Sequence, residues 1–262
     1  MQLLLGFVLA VCVAYAAYRA HSLNRSGAYA AVVVGGIIFG VGGWQWAVLL
    51  LTFFISSTAL TRAFKRRKAG LNEKFSKGGK RDAGQVLGNG GLATLFAGLH
   101  FFFPGAGWVW LAFAAALAAV NADTWATELG VLNPHPPRMI THPGRVVEKG
   151  TSGGISLTGT LASLCGAGLI GLLAALISPT PVPFSIALWV TLAGLAGSLF
   201  DSLLGATVQA IYYCPTCQKE TERFPLHTCG SQTTLRRGWP WLDNDLVNLG
   251  CSLFAIIFVL LV

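Results

Sequence analysis

Three acids lie where acids are costly. Asp123 and Glu128 fall in Asn121-Ala122-Asp123-Thr124-Trp125-Ala126-Thr127-Glu128-Leu129-Gly130, near the end of a long apolar run, and Asp201 falls in Gly194-Leu195-Ala196-Gly197-Ser198-Leu199-Phe200-Asp201-Ser202-Leu203-Leu204-Gly205. An ionised carboxylate in hydrocarbon is expensive, so an acid inside a membrane span marks a functional site by default. At about 1.5 Å of rise per residue, Asp123 sits roughly 10 Å inside the end of its span. Asn121 shares a helical face with Glu128, and Asp123 shares another with Thr127. The two acids are about 140° apart around the helix, so one can bind a ligand while the other orients a neighbouring span. Gly194, Gly197, Ser198, Asp201 and Gly205 form one small-residue face, which lets helix backbones approach closely and points the Asp201 carboxylate between helices. Mg²⁺ bound by these acids on a phosphorylated substrate is the chemistry that fits, because that ion is usually held by a few carboxylates together with substrate phosphates. Hydrogen-bonded bridging between helices and an ion or proton relay are the alternatives. Asp243-Asn244-Asp245 with Asn248 opens the last apolar run. Asn121, Asn248 and Asp245 could add oxygen ligands, although Asp and Asn are also favoured helix N-caps.

Two glycine-rich segments look suited to phosphate. Glu148-Lys149-Gly150-Thr151-Ser152-Gly153-Gly154 leads into an apolar run. Such a turn presents free backbone N–H groups and the positive end of a helix dipole, an anion site, and Lys149 adds a point charge. The lysine precedes the glycines, so this is not a Walker sequence, and an N-cap with tight helix packing explains the same residues. Lys80-Arg81-Asp82-Ala83-Gly84-Gln85-Val86-Leu87-Gly88-Asn89-Gly90-Gly91 combines basic charge, two amides and another glycine-rich span start. Together the two segments suggest two mouths of one phosphate-lined cavity: Lys80, Arg81 and Asn89 on one side, Gly150, Thr151, Ser152, Gly153 and Gly154 on the other. The basic run at 62–68 reads as a positive anchor touching anionic lipid in preference to catalysis.

Of six cysteines, Cys12, Cys165 and Cys251 lie in apolar runs as small hydrophobes. Cys214, Cys217, His227 and Cys229 share one polar connection in the pattern C-x2-C-x9-H-x-C. Four soft ligands at that spacing fit a closed, structural Zn²⁺ site that does not activate water, and a reducing compartment disfavours a disulfide there. Unpaired thiols are the alternative.

The elements that must position these residues are set by hydrophobicity. Of 262 residues, 54% are apolar and 11% charged, with a mean hydropathy of +0.63. A soluble domain carries roughly a quarter charged residues, so the apolar surplus must face lipid. Apolar runs near 2–20, 27–43, 44–61, 86–104, 106–130, 154–178, 184–213 and 246–262 predict eight transmembrane helices. The expected architecture is an all-α, polytopic integral membrane protein, a single transmembrane domain over 1–262 with a small Cys/His loop at 213–245. The first run has no basic stretch before it and no small-residue cleavage site, which reads as a retained helix.

The charges test that count. Arg19 and Arg25 lie between the first two runs, nine basic residues lie between 62 and 81, three between 138 and 149, and four between 219 and 237. The connections near 41–45, 103–107 and 179–183 hold no Lys or Arg. Eight spans with both termini on the non-cytoplasmic side satisfy the positive-inside rule. Every connection long enough to build a site then faces the cytoplasm, where nucleotides are available and a lipid-tailed substrate can enter from the bilayer. The net charge of +8 fits anionic headgroups or phosphates, and no basic patch interleaved with aromatics argues for nucleic acid.

Five of these segments in this order, 85–91, 121–128, 149–154, 197–205 around Asp201 and 243–248, resemble the DUF92 integral membrane family, which includes TMEM19-like proteins and phytyl-phosphate kinases. The resemblance extends from about residue 80 to 250. It implies CTP-dependent phosphotransfer to an isoprenyl monophosphate, giving the diphosphate and CDP. In that reading Asp123, Glu128 and Asp201 hold Mg²⁺, Asn121 and Asn248 assist, and Lys149, Asn89 and the 151–154 N–H groups cradle phosphates. The acceptor phosphate is already anionic, so no strong general base is needed. A CTP:lipid-phosphate cytidylyltransferase and an ion-coupled transporter are the rival expectations.

Overall fold

The computed structural model describes residues 1–65, 74 and 79–262; residues 66–68 of the basic run at 62–68, and Lys77, lie outside the described residues. The described residues form eight α-helices: α1 (Gln2–Arg19), α2 (Arg25–Ile37), α3 (Trp44–Ala63), α4 (Ala83–Leu99), α5 (Gly107–Gly130), α6 (Leu157–Leu176), α7 (Ile186–Thr207) and α8 (Asn244–Leu261). A π-helical turn at Ile38–Gly42 prolongs α2, so that seven helical stretches of at least 18 residues are apolar enough to cross a membrane. The eighth, α4, has 17 residues, the short end of the spanning range.

Helix α5 is the axis of the bundle and packs against α3, α4, α6, α7 and α8. Its run Ala112, Phe113, Ala114, Ala115, Ala116, Leu117, Ala118 and Ala119 is fully buried, as expected of a helix apolar on every side. Alanine there lets neighbours come close. A Cβ on Gly194 of α7 would fall 2.8 Å from the Ala118 Cβ, and one on Gly197 would fall 2.8 Å from the Ala119 Cβ, so the small-residue face of α7 packs as its sequence predicts. At one end of α5 an aromatic cluster seals the bundle, with the Trp46, Trp110 and Phe113 rings 4.5–5.7 Å apart.

The polar connections are more ordered than apolar-run counting can show. Residues 138–155 form a three-stranded antiparallel sheet in the order β2 (His142–Val146), β1 (Arg138–Met139), β3 (Gly154–Ile155). Residues 211–237 form another, β5 (Lys219–Thr221), β4 (Ile211–Cys214), β6 (Thr234–Arg237). The all-α reading therefore holds for the spans, while the Cys/His connection is a small β module.

Candidate active site

A cavity of about 810 Å³ lies at one end of the bundle, within the usual range for small-molecule sites. Its walls are the last turns of α3, α5 and α7 and the first turns of α4, α6 and α8. Three helix N-termini thus bring the positive ends of their dipoles to one space. Each is capped: Asp82 accepts from Gln85 N–H and completes a capping box, Ser156 accepts from Gly159 N–H, and Asp243 accepts from the N–H groups of Asp245 and Leu246.

The acids enter from the opposite helix ends. Asp123, Glu128 and Asp201 all line the cavity. The Asp201 Oδ2 atom is buried and has no hydrogen-bond partner among the described residues, and its charged neighbours are Asp123 and Glu222. Neighbouring carboxylates repel one another, and a cation bound beside them would offset that repulsion. Glu128 is more tightly held, its Oε1 accepting from the Thr61 hydroxyl at 2.8 Å. It therefore orients α3 against α5 as well as facing the cavity.

Facing the acids is a basic, glycine-rich rim that includes Lys80, Arg81, Asn89, Lys149, Gly150, Thr151, Ser152, Gly153 and Gly154. Arg81 is fixed by paired bonds from its guanidinium to Thr58 Oγ1 and Ser57 Oγ, both 2.9 Å, and its backbone is stitched to Ser22 and Asn24. Burial lowers the pKa of Arg81, and the Glu128 carboxylate opposes that shift. Lys80 is exposed at the edge. Gly153 has φ +85°, and a Cβ there would stand 2.5–2.6 Å from Ala206 of α7, so only glycine lets this turn lie on the helix. The Lys149 ammonium donates to the carbonyls of Val131 and Asn133 at 3.0 and 2.6 Å; it caps the end of α5 while lining the cavity. Its neighbour Glu148 pairs with Lys74 at 2.7 Å, and this lowers the pKa of Glu148.

Two expected ligands are placed elsewhere. Asn121 is fully buried, with Oδ1 accepting from the Ser56 hydroxyl at 3.0 Å and Nδ2 donating to the Gly166 carbonyl at 2.8 Å. Its amide joins α5 to α3 and α6, and it is not among the residues lining the cavity. Asp245 is likewise not a lining residue. Its backbone is a packing surface for α4, since a Cβ on Gly88 would fall 2.6 Å from the Asp245 carbonyl oxygen. Asn248, one turn further on, does line the cavity with Asn244.

The cavity also contains residues that sequence reasoning missed: Glu222 and Arg223 from the β module, and Ser163, Ser198 and Ser202 from α6 and α7. The signal for Glu222 was the charged stretch Lys219-Glu220-Thr221-Glu222-Arg223, but nothing local shows that it folds back onto the spans.

Cys214, Cys217, His227 and Cys229 come together, with their ligand atoms all within 4.8 Å of one another. The Cys229 thiol is lowered to about 6, chiefly by the Ser231 hydroxyl and then by His227. Cys217 is raised to about 11, chiefly by its hydrogen bond with Cys229.

The family described as integral membrane protein DUF92 matches residues 8–256. The chain is 32% identical to Protein PGR of Arabidopsis thaliana over 94% of its own length and 91% of that protein. It is 36% identical to the uncharacterized membrane protein MJ0933 of Methanocaldococcus jannaschii, over 76% of this chain and 80% of that one. Against Protein VTE6, chloroplastic, also of Arabidopsis thaliana, identity is 24% over 91% of this chain and 65% of the relative. No solved structure matches the chain.

Proposed function

From its membership of the DUF92 family of integral membrane proteins, we propose that the chain is a Mg²⁺-dependent kinase that moves the γ-phosphoryl of a nucleotide, CTP by resemblance, onto an isoprenyl monophosphate of the phytyl type. The observation that carries this reading is one cavity in which Asp123, Asp201 and Glu222 face a glycine-rich basic rim and three helix N-termini. The donor set fits the ion: hard carboxylate oxygens, one of them, on Asp201, buried and lacking a hydrogen-bond partner among the described residues, with room left for substrate phosphates. Asp123, Asp201 and Glu128 would hold Mg²⁺, with Asn248 beside them. Bound there, Mg²⁺ would neutralise charge on the transferring phosphoryl group.

The chain's residues do the positioning. The N–H groups of Gly150, Ser152 and Gly153, the guanidinium of Arg81, Lys80 at the edge and the Asn89 amide would receive phosphate oxygens, while the Thr151 and Gly154 N–H groups close the turn on the Glu148 and Thr151 carbonyls. The acceptor phosphate oxygen attacks the γ-phosphorus, the bond from that phosphorus to the β–γ bridging oxygen breaks, and the nucleoside diphosphate leaves. No side chain has to remove a proton from an already anionic acceptor. The isoprenyl tail would lie between spans or in lipid. The basic end of the bundle faces the cytoplasm in this reading, with both termini on the other side, in keeping with the positive-inside rule.

The test is incubation of the purified protein with Mg²⁺, a panel of isoprenyl monophosphates and CTP labelled separately at the α and γ positions. Label from the γ position in a lipid diphosphate is the expected result. Label from the α position in the lipid would replace the kinase with a cytidylyltransferase, and no transfer to any acceptor by folded protein would overturn the reading.

A further inference from the structure

We propose that Cys214, Cys217, His227 and Cys229 bind one Zn²⁺, and that this ion fixes Glu222 and the Ser152 turn at the rim of the cavity, coupling a metal site outside the bundle to the acids inside it. The first half rests on ligand geometry. A tetrahedral zinc with Zn–S near 2.3 Å and Zn–N near 2.0–2.1 Å sets its ligand atoms about 3.5–3.8 Å apart. Here the Sγ atoms of Cys214 and Cys229 are 3.5 Å apart, and His227 Nδ1 is 3.3 Å from Cys229 Sγ. The thiols are not joined as disulfides. All four positions are filled by protein, so the ion would be structural.

The module also needs such a staple. Its strands are three or four residues long, and Phe224, Leu226 and Leu235 are exposed. A unit this small rarely holds itself together by apolar burial, and the free energy of zinc binding becomes folding free energy.

The second half rests on a continuous chain of hydrogen bonds. Glu222 stands five residues after Cys217 and five before His227, on the segment that the ion would close. Its Oε1 accepts from Gln209 Nε2 at 3.1 Å, and Gln209 Oε1 accepts from the Ser152 hydroxyl at 2.6 Å. Arg237, at the far side of the same sheet, donates to the carbonyls of Ser152 and Gly205 at 3.3 and 2.7 Å. The Glu222 N–H donates to the carbonyl of Lys74 at 2.8 Å, and the Lys74 ammonium donates to the Lys149 carbonyl at 3.2 Å. The zinc module thus grips the glycine-rich turn at Ser152 and Lys149 while delivering a carboxylate to Asp201.

The test uses full-length protein in lipid nanodiscs, with zinc measured by plasma mass spectrometry and amide exchange followed by peptide. One zinc per chain is expected, falling to near zero in C217S and C229S. Chelation should raise exchange about tenfold or more at both 211–237 and 149–154, while the spans stay protected. Q209A should keep its zinc yet lose protection at 149–154, which separates coupling from unfolding of the module. A reduced chain that takes up no added Zn²⁺ overturns the proposal. So does chelation that loosens 211–237 and leaves 149–154 unchanged. Neither readout needs nucleotide or lipid phosphate, so a chain that transfers no phosphoryl group could still bear this inference out.

Discussion

Within α5, residues 109–122 are almost all buried and, apart from Asn121, apolar, whereas Asp123, Thr124, Ala126, Thr127, Glu128 and Gly130 line the cavity. The dry half is alanine against glycine, with α7 seated on Ala118 and Ala119, and aromatic rings close its far end. The wet half begins one turn later with carboxylates. The contrast teaches why the acids can be so deep: close packing on the dry side fixes the helices that carry them, while the cavity stands on the other side. An ion-coupled transporter needs polar access from both sides of its central site. Here the cavity-lining residues of α5 stop at Asp123, which favours chemistry at one end of the bundle.

Breaking the wet half should have the largest effect. D201N and D123N each keep the side chain's volume and remove a charge that the proposed Mg²⁺ would need, and losing one preorganised electrostatic contact typically costs about 10²–10³-fold in rate. Phosphoryl transfer should fall by that much, while the thermal unfolding midpoint stays close to wild type; wild-type rates in either variant would remove that acid from the metal site. Breaking the dry half should act in the opposite way. G194L forces atoms into the Ala118 and Ala167 contacts, and overpacking of this kind costs about 1–3 kcal/mol. Its signature is a lower unfolding midpoint with turnover per folded molecule preserved. A G194L protein of normal stability with selectively lost transfer would mean that the two halves are not separable. E222Q is the milder test of the wet half, because glutamine can still accept from Gln209 and only the charge is lost. A rise of about tenfold in the Mg²⁺ concentration for half-maximal rate, worth about 1.4 kcal/mol, is expected, with kcat little changed.

The same contrast explains what could be read in advance. Spans are legible because each is decided by its own composition, and the small-residue face of α7 is legible because packing follows a helical period. Asp123, Glu128 and Asp201 stand out because charge in an apolar run has few cheap explanations. Glu222 does not stand out, since an acid in a charged loop is ordinary until the loop's docking on Gln209 and Lys74 is known. Lys149 was legible as a cation beside glycines, but its hydrogen bonds to Val131 and Asn133 depend on where α5 ends. The two small sheets escaped notice because strands of two to five residues carry almost no periodic signal.

Asn121 lies on the seam between the halves and gives the smallest and sharpest test. By residue type and helical face it could serve the acids as a metal ligand. By geometry both ends of its amide are engaged, with Ser56 of α3 and Gly166 of α6, and the side chain is sealed from the cavity. The two roles differ in measurable consequence. Interhelical hydrogen bonds in membranes average about 0.6 kcal/mol by double-mutant cycles, so N121A should lower the unfolding midpoint slightly and reduce transfer by no more than a few-fold. S56A should do about the same, and the double variant should cost less than the sum, because the two residues share a bond. A hundredfold loss in N121A with S56A unaffected would move Asn121 into the metal site and shift the boundary of the wet half two residues deeper into α5.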